Sequence, residues 1–334
     1  HHTESTFYLG LGNSLASVVI AALAPVLGAV ADRSSARRKF LVFFAFLGIL
    51  MTGMLWFVKE GMWPLALGLY VFAMVGFSGG NIFYNSLLSG ITSEESVDFV
   101  SSLGFALGYL GGGILFLINV VSYHRPELFG LPDAATAIRA AFLSVAVWWA
   151  VFTVPLILFV PEPPAEVSLN LWRAAGAGWR QLVGTLKDLR HLKMVGLFLL
   201  AYWLYIDGVH TVVRMAMDYG VALGFPTESL IRALLLVQFI AFPAALAYGW
   251  LAGKIGVKKC LYLGIGAYGL IALLGFFARQ MWHFYGLAVL IGLFQGGIQA
   301  LSRSYYTRLI PPEKSGQFFG FYNMLGKFAA VLGP

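Results

Sequence analysis

Ten runs of apolar residues, each long enough to cross a lipid bilayer, decide most of what this chain can become. They fall at about 7–31, 40–58, 63–88, 99–121, 138–160, 194–217, 229–252, 261–279, 283–309 and 317–334. A hydrocarbon core about 30 Å thick takes roughly 20 helical residues to span. Lipid offers no partner to an unpaired N–H or C=O, so runs of this length must be helices, whereas barrel strands would alternate over about 10 residues. The sequence therefore predicts an all-α, polytopic membrane helix bundle. Composition agrees, since only 11% of the chain is charged against roughly a quarter of an ordinary soluble domain. The first run is no signal peptide, because it is long, lacks a basic start and is followed by a basic loop. A lone cysteine, Cys260, excludes an internal disulfide and a cysteine-rich metal site.

Charge placement orients the bundle. The net charge of +7 sits in short clusters between apolar runs, the pattern of membrane topology rather than nucleic-acid binding. The segments "DRSSARRK", "RQLVGTLKDLRHLK" and "GKIGVKK" follow the first, fifth and seventh runs, while the opposite loops carry only scattered cations such as Lys59, Arg125 and Arg279. The positive-inside bias puts the basic loops in the cytoplasm. The longest connection opens with "PEPPAEVS", where prolines stop the preceding helix, and its second half suits an amphipathic surface helix. The expected organisation is an N-terminal lobe of five helices at 1–160, a cytoplasmic linker at 161–193, and a C-terminal lobe of five at 194–334.

The lobes read as repeats. "GAVADRSSARRK" from Gly28 matches "GWLAGKIGVKK" from Gly249, pairing Ala31 with Ala252, Arg33 with Lys254, and Arg37 and Arg38 with Lys258 and Lys259. A shift of 218 then pairs Gly79 with Gly297, Asn81 with Gln299, Asn85 with Arg303, Ser86 with Ser304 and Glu95 with Glu313. Internal repeats of this kind build many secondary transporters, which hold substrate near the midplane between them.

The Gly-x-x-x-Asp-Arg signature with its trailing basic cluster resembles the cytoplasmic loop signature of the major facilitator superfamily. "YNSLL" at 84–88, "LGYLGG" at 107–112, "LYIDGV" at 204–209 and "QALSRS" at 299–304 resemble, more narrowly, its autophagy-related vacuolar-effluxer-like branch. The resemblance implies twelve helices in two bundles of six, so the ten runs read as the second to the eleventh, with the first and last helices lacking. It departs from the signature at Ser35, where a glycine is usual. It also implies amino-acid efflux, at least among vacuolar members, and a protein of the bacterial inner membrane.

The segment "LYIDGVHTVVRMAMDYG" puts ionisable groups into the sixth run. At about 100° per residue, Asp207, Arg214 and Asp218 share a narrow arc, with His210 about 60° to one side. A charge at membrane depth is costly and normally faces a cavity or a partner. Two readings of Asp207 stand: a proton-coupling carboxylate, or a fixed ion pair with Arg214 or Lys327. His210 is a second proton-relay candidate, its pKa lying near physiological pH, or else a hydrogen-bonded spacer. Arg214 and Arg303 offer a guanidinium fork to a carboxylate or phosphate. Gln295, Gln299 and Arg303 recur every four residues on the ninth run, and the repeat places Asn81 and Asn85 at matching positions on the third. Both stripes suit a polar path, or hydrogen bonding between helices. Lys327, within the last run, is a buried counter-ion or substrate contact, and Tyr205 lies deep enough to line a path. Gly28, Asp32, Arg33, Arg37 and Arg38 resemble the gating loop that braces the two bundles of this superfamily on the cytoplasmic side. Gly104, Gly108 and Gly112 share a face where helices can approach closely, and with Tyr109 in the proline place they partly resemble an antiporter signature, which points to export.

The expected function is secondary active transport of a small polar solute, foremost an amino acid, by proton-coupled alternating access, with sugars and peptides as the other substrate classes. A non-transporting receptor or scaffold would need no polar pathway. Enzymatic activity is not expected, since no nucleophile elbow or shared-proton carboxylate pair is present. Nor is a nucleotide, because GxxxxGK[ST] is absent. No cofactor and no metal are expected, there being no HExxH-type spacing. The partners expected are solute, protons and membrane lipid, with no nucleic acid, and the protein is expected to act as a monomer.

Overall fold

The computed structural model describes residues 2–34, 36–162, 184 and 192–332. Ser35 and nearly all of the inter-lobe connection, including its expected surface helix, lie outside the described residues. Within them the chain forms ten long helices: α1 (His2–Ser34), α2 (Arg37–Met54), α3 (Trp63–Ile91), α4 (Val97–His124), α5 (Ala134–Phe159), α6 (Lys193–Ala222), α7 (Thr227–Ile255), α8 (Val257–Phe276), α9 (Met281–Leu309) and α10 (Ser315–Leu332). Each coincides with one predicted apolar run. Eight of them, α2 to α9, are long and apolar enough to cross a membrane. No strand occurs among the described residues. The chain is a multi-pass integral membrane protein of the expected all-α class.

The helices overrun the apolar stretches because a hydrogen-bonded turn continues past the last apolar residue. α5 begins four residues before its predicted start, at Ala134, where the Asp133 carboxylate accepts the Thr136 N–H at 2.6 Å and so caps an otherwise orphaned donor. α7 and α8 are joined by Gly256 alone, which takes φ +89°, a left-handed value that residues with a Cβ rarely adopt.

The helices fall into two compact units, and each draws on both halves of the sequence. The first comprises His1–Gly90, Ile118–Gly196 and Ile310–Val331; the second is built chiefly from Ile91–Leu117 and Leu197–Leu309. In the first unit, Ala24, Ala31, Leu41, Phe44, Ile82, Phe83 and Leu87 form the core, with Phe40 stacked on Phe83 at 5.2 Å between centroids. α10, from the second half of the sequence, crosses α1 here. A Cβ on Gly28 would collide with the Gly316 carbonyl, and one on Gly320 would lie 2.6 Å from the Ala24 carbonyl.

In the second unit, α9 packs against α7 and α8, with Ile298, Ala300 and Leu301 fully buried. A second core patch gathers Leu230, Ala233, Phe284 and Ala288. α4, from the first half, is the visitor here: a Cβ on Gly249 of α7 would lie 2.7 Å from the Ser102 side chain and 3.5 Å from the Asp98 carbonyl. Gly249 is the repeat partner of Gly28, and a shift of 218 carries Asp98 onto Gly316. Each unit therefore has a close helix crossing at one of the two paired glycines, backbone against backbone at Gly28 and backbone against the Ser102 side chain at Gly249. Small residues serve this purpose in membranes, where packing rather than water exclusion holds helices together.

Candidate functional site

The first polar cluster of the first unit lies at the basic-loop end of α1. Asp32 Oδ1 accepts the Gly316 N–H and Oδ2 accepts the Gln317 N–H, each at 2.9 Å. Arg37 donates to Asp32 Oδ1 through Nε and pairs with it through Nη2, both at 2.8 Å. The same guanidinium reaches the Pro312 and Glu313 carbonyls at 3.3 and 3.1 Å. The first N–H groups of a helix have no intrahelical acceptor and sit at its positive end, so a carboxylate placed there satisfies donors and the dipole together. Asp32 lies beyond the apolar span 7–31, and burial pushes its carboxyl from the ordinary 3.8 up to about 6, against the pull of Arg37 and the two amides.

The sequence grouped Asp32, Arg33, Arg37 and Arg38 with Gly28, and the structure divides their work. Gly28, Asp32 and Arg37 clasp α10. Arg38 ties α2 to the end of α5: its N–H bonds Glu162 Oε1 at 3.0 Å and its Nη1 bonds the Val160 carbonyl at 2.8 Å. Arg33 is half-buried on the last turn of α1. Asn81 and Asn85 are half-buried on α3, and Lys327 is half-buried on α10, also within this unit.

In the second unit Arg303 is 4% exposed. Its Nε donates to Ser101 Oγ and its Nη2 to the Ser101 carbonyl, both at 2.9 Å, and its guanidinium lies 4.6 Å from the Phe105 ring centroid. Ser101 Oγ in turn donates to the Ala300 carbonyl at 2.7 Å. In this conformation Arg303 joins α9 to α4. The residue was legible as polar and buried, but its acceptor, Ser101, lies 202 positions away and carried no signal. Gln299 has a comparable place: its Oε1 accepts from Tyr109 at 3.0 Å. Tyr205 bonds Ser302 at 2.6 Å; because the Ser302 hydroxyl donates to the Ile298 carbonyl, Tyr205 is the donor.

One ion pair escaped the sequence reading altogether. Arg308, in the last turn of α9, holds Asp98, in the first turn of α4, through two bonds of 2.8 and 2.6 Å, and also bonds the Glu94 carbonyl at 2.8 Å. Each charge sits at the helix end that favours it. The expected close approach along Gly108 and Gly112 also shifts. A Cβ on Gly108 would meet nothing within 4 Å and one on Gly112 only Gln238 at 3.9 Å, whereas one on Gly113 would lie 3.1 Å from Gln238. Spacing identifies which glycines share a face, not what stands opposite that face.

Asp207 is half-buried on α6, and its Oδ1 is buried with no hydrogen-bond partner among the described residues. Gln295 Oε1 on α9 is in the same condition. His210 is half-buried, while Arg214 and Asp218 are exposed. Asp218 borders an open, largely apolar groove of about 660 Å³ between the outer parts of α6 to α9. The face predicted from helical periodicity thus grades from a buried acceptor at Asp207 to exposed charge at Arg214 and Asp218.

With this geometry in view, the chain can be set beside known proteins. Residues 2–334 match the family described as "Vacuole effluxer Atg22 like". An uncharacterized MFS-type transporter, YxiO of Bacillus subtilis, is 37% identical over 99% of this chain and 77% of its own length. Autophagy-related protein 22 of Yarrowia lipolytica is 26% identical over 91% of this chain and 65% of its own length; the chain thus spans less than two thirds of that fungal relative. Among solved structures, the human organic anion transporter MFSD10 aligns with a TM-score of 0.67 at 17% identity, covering 97% of this chain and 76% of that one. The proton:xylose symporter XylE aligns at 0.68 and 15% identity, covering 98% and 78%; these two likenesses speak to the fold. The family match over residues 2–334 and the 37% identity to the MFS-type transporter of Bacillus subtilis place the chain among MFS-type transporters, and it belongs to the Atg22 effluxer-like family.

Proposed function

We propose that the protein carries a small amino-bearing solute, foremost an amino acid, across the bacterial inner membrane by alternating access, with protonation of Asp207 coupling the movement to a proton gradient. The observation that carries this reading is the buried Asp207 Oδ1 in the middle of α6, which has no hydrogen-bond partner among the described residues. An acceptor at that depth is costly unless a proton or a cationic donor reaches it. Arg214, seven residues on along the same face, is the partner for a solute carboxylate; two arms of Arg303 are engaged by Ser101. His210, between them, is the relay. Within the second unit Gln295, Gln299 and Tyr205 supply neutral contacts to the solute, and within the first unit Asn81, Asn85 and Lys327 supply neutral and cationic ones.

Switching follows from the clasp. The proposed lobes, 1–160 and 194–334 joined by 161–193, part at the cytoplasmic end only when Asp32 and Arg37 release α10. A monomer suffices. A second reading, transport of a hydroxyl-rich solute, is favoured by the uncharged run of Gln295, Gln299, Tyr109 and Tyr205.

Counterflow in proteoliposomes separates the two. Exchange of a radiolabelled amino acid against unlabelled amino acid, with none for sugars, is the expected result. Sugar exchange without amino-acid exchange by folded protein would overturn the leading reading.

A further inference from the structure

The two halves spend their basic loops differently. In the first, Arg37 and Arg38 are taken up by protein acceptors: Asp32, the Pro312 and Glu313 carbonyls, and the Val160 carbonyl. Their repeat partners, Lys258 and Lys259, stand with Lys254 on the α7–α8 turn, and all three are exposed. From residue 229 to residue 312 the chain holds no Asp or Glu. Among the described residues, none of the three lysines joins an ion pair. Two of them meet aromatic rings instead: Lys254 Nζ lies 3.8 Å from the Trp250 ring centroid and Lys258 Nζ lies 5.7 Å from that of Tyr305.

Trp250 and Tyr262 flank the turn, one on each helix, and are 60% and 70% exposed. Both helices are apolar enough to span a membrane. Large aromatic rings exposed one turn inside the end of a spanning helix sit at headgroup depth. The single-residue turn at Gly256 keeps Lys254, Lys258 and Lys259 together just beyond them. A cation over a ring face keeps its outward N–H groups available. The patch therefore presents three positive charges to the interface beside exposed aromatic rings, none of them in an ion pair among the described residues; Asp98, whose charge reaches the adjoining Cys260, is itself paired with Arg308.

We propose that the α7–α8 turn binds the headgroup of an anionic phospholipid of the cytoplasmic leaflet. Lys254, Lys258 and Lys259 engage its phosphate, and Trp250 and Tyr262 lie along its glycerol and upper acyl chains. The site depends on the basic loops facing the cytoplasm and is independent of which solute is carried.

The test uses quenching of Trp250 by lipid brominated on the upper acyl chain, with Trp250→Phe giving the part of the signal due to this residue. The protein is placed in phosphatidylcholine nanodiscs containing brominated phosphatidylglycerol or brominated phosphatidylcholine. The expected result is half-maximal quenching at a mole fraction of phosphatidylglycerol about tenfold below that of phosphatidylcholine, a preference weakened by salt. The triple variant Lys254→Gln, Lys258→Gln, Lys259→Gln abolishes the preference, the triple Lys→Arg variant keeps it, and Arg279→Gln on the opposite side leaves it unchanged. Free glycerol 3-phosphate at matched concentration does not displace the lipid. Equal quenching by the two lipids in the wild type would overturn the proposal. So would an undiminished preference in the folded glutamine variant, or displacement by the free phosphate. Should the glutamine variant not fold, the wild-type lipid preference and its salt dependence decide alone.

Discussion

Asp32 and Gly316 stand 284 positions apart in the chain, yet the Gly316 N–H donates to the Asp32 carboxylate at 2.9 Å. That bond fastens the end of α1 to the beginning of α10. It is possible only because Gly28 and Gly316 let the two backbones touch. The clasp is therefore both a steric and an electrostatic device, and each aspect can be tested separately.

The steric aspect is tested by Gly316→Ala. The added Cβ would lie 2.5 Å from Asp32 Oδ1 and 2.8 Å from the Gly28 carbonyl, and neither neighbour can move without opening the crossing. Overpacking of this kind costs about 1–3 kcal/mol. Spin labels at Lys39→Cys and Glu313→Cys, both exposed, should report a longer or broader distance in the variant. An unchanged distance distribution would show that the crossing tolerates the methyl.

The electrostatic aspect has a pH signature. The Asp32 carboxyl titrates at about 6 in the clasp against an ordinary 3.8, so the clasped form binds a proton more tightly than a form in which Asp32 meets water. Acidification through the window between these values therefore favours the clasped form, and raising the pH through about 6 favours release. The same pair of labels should show the clasped distance gaining population from pH 7 to pH 5. Asp32→Asn, which removes the titrating group, should flatten the response.

Arg303 is predicted to matter for holding helices together rather than for recognising solute. Arg303→Lys loses the fork that reaches both Ser101 oxygens and should destabilise the protein by about 1–3 kcal/mol. Thermal melting should show the loss, while the dissociation constant of the transported solute stays within about twofold. A large rise in that constant with unchanged melting would return Arg303 to the substrate path.

The Asp98–Arg308 pair lends itself to a double-mutant cycle. Both side chains are largely sheltered, at 10% and 26% exposure, and the contact is bidentate, so a coupling energy of about 1–3 kcal/mol is expected from Asp98→Ala, Arg308→Ala and the double variant. Additive effects would mean that the pair contributes no more than surface charges do.

The helices were legible because membrane-spanning length is a local property, readable from apolar runs such as 229–252 without knowing what lies beside them. Asp32 was legible for a related reason: one acid among Arg33, Arg37 and Arg38 is a local anomaly. What each polar residue bonds was not legible. Arg303 and Ser101, Tyr109 and Gln299, and Asp98 and Arg308 are each joined across about 200 residues, and nothing in either segment names the other. The repeat came closest. It paired Gly28 with Gly249, and the structure makes both of them crossing points, but the helices they cross, α10 and α4, had no mark of their own.

The most direct test of the transport reading compares wild type with Asp207→Asn in proteoliposomes, following amino-acid counterflow and, separately, accumulation driven by a pH gradient. The account predicts that exchange survives in the variant while gradient-driven accumulation disappears. Accumulation that persists in Asp207→Asn at the wild-type level would contradict it, because the proton would then be carried elsewhere.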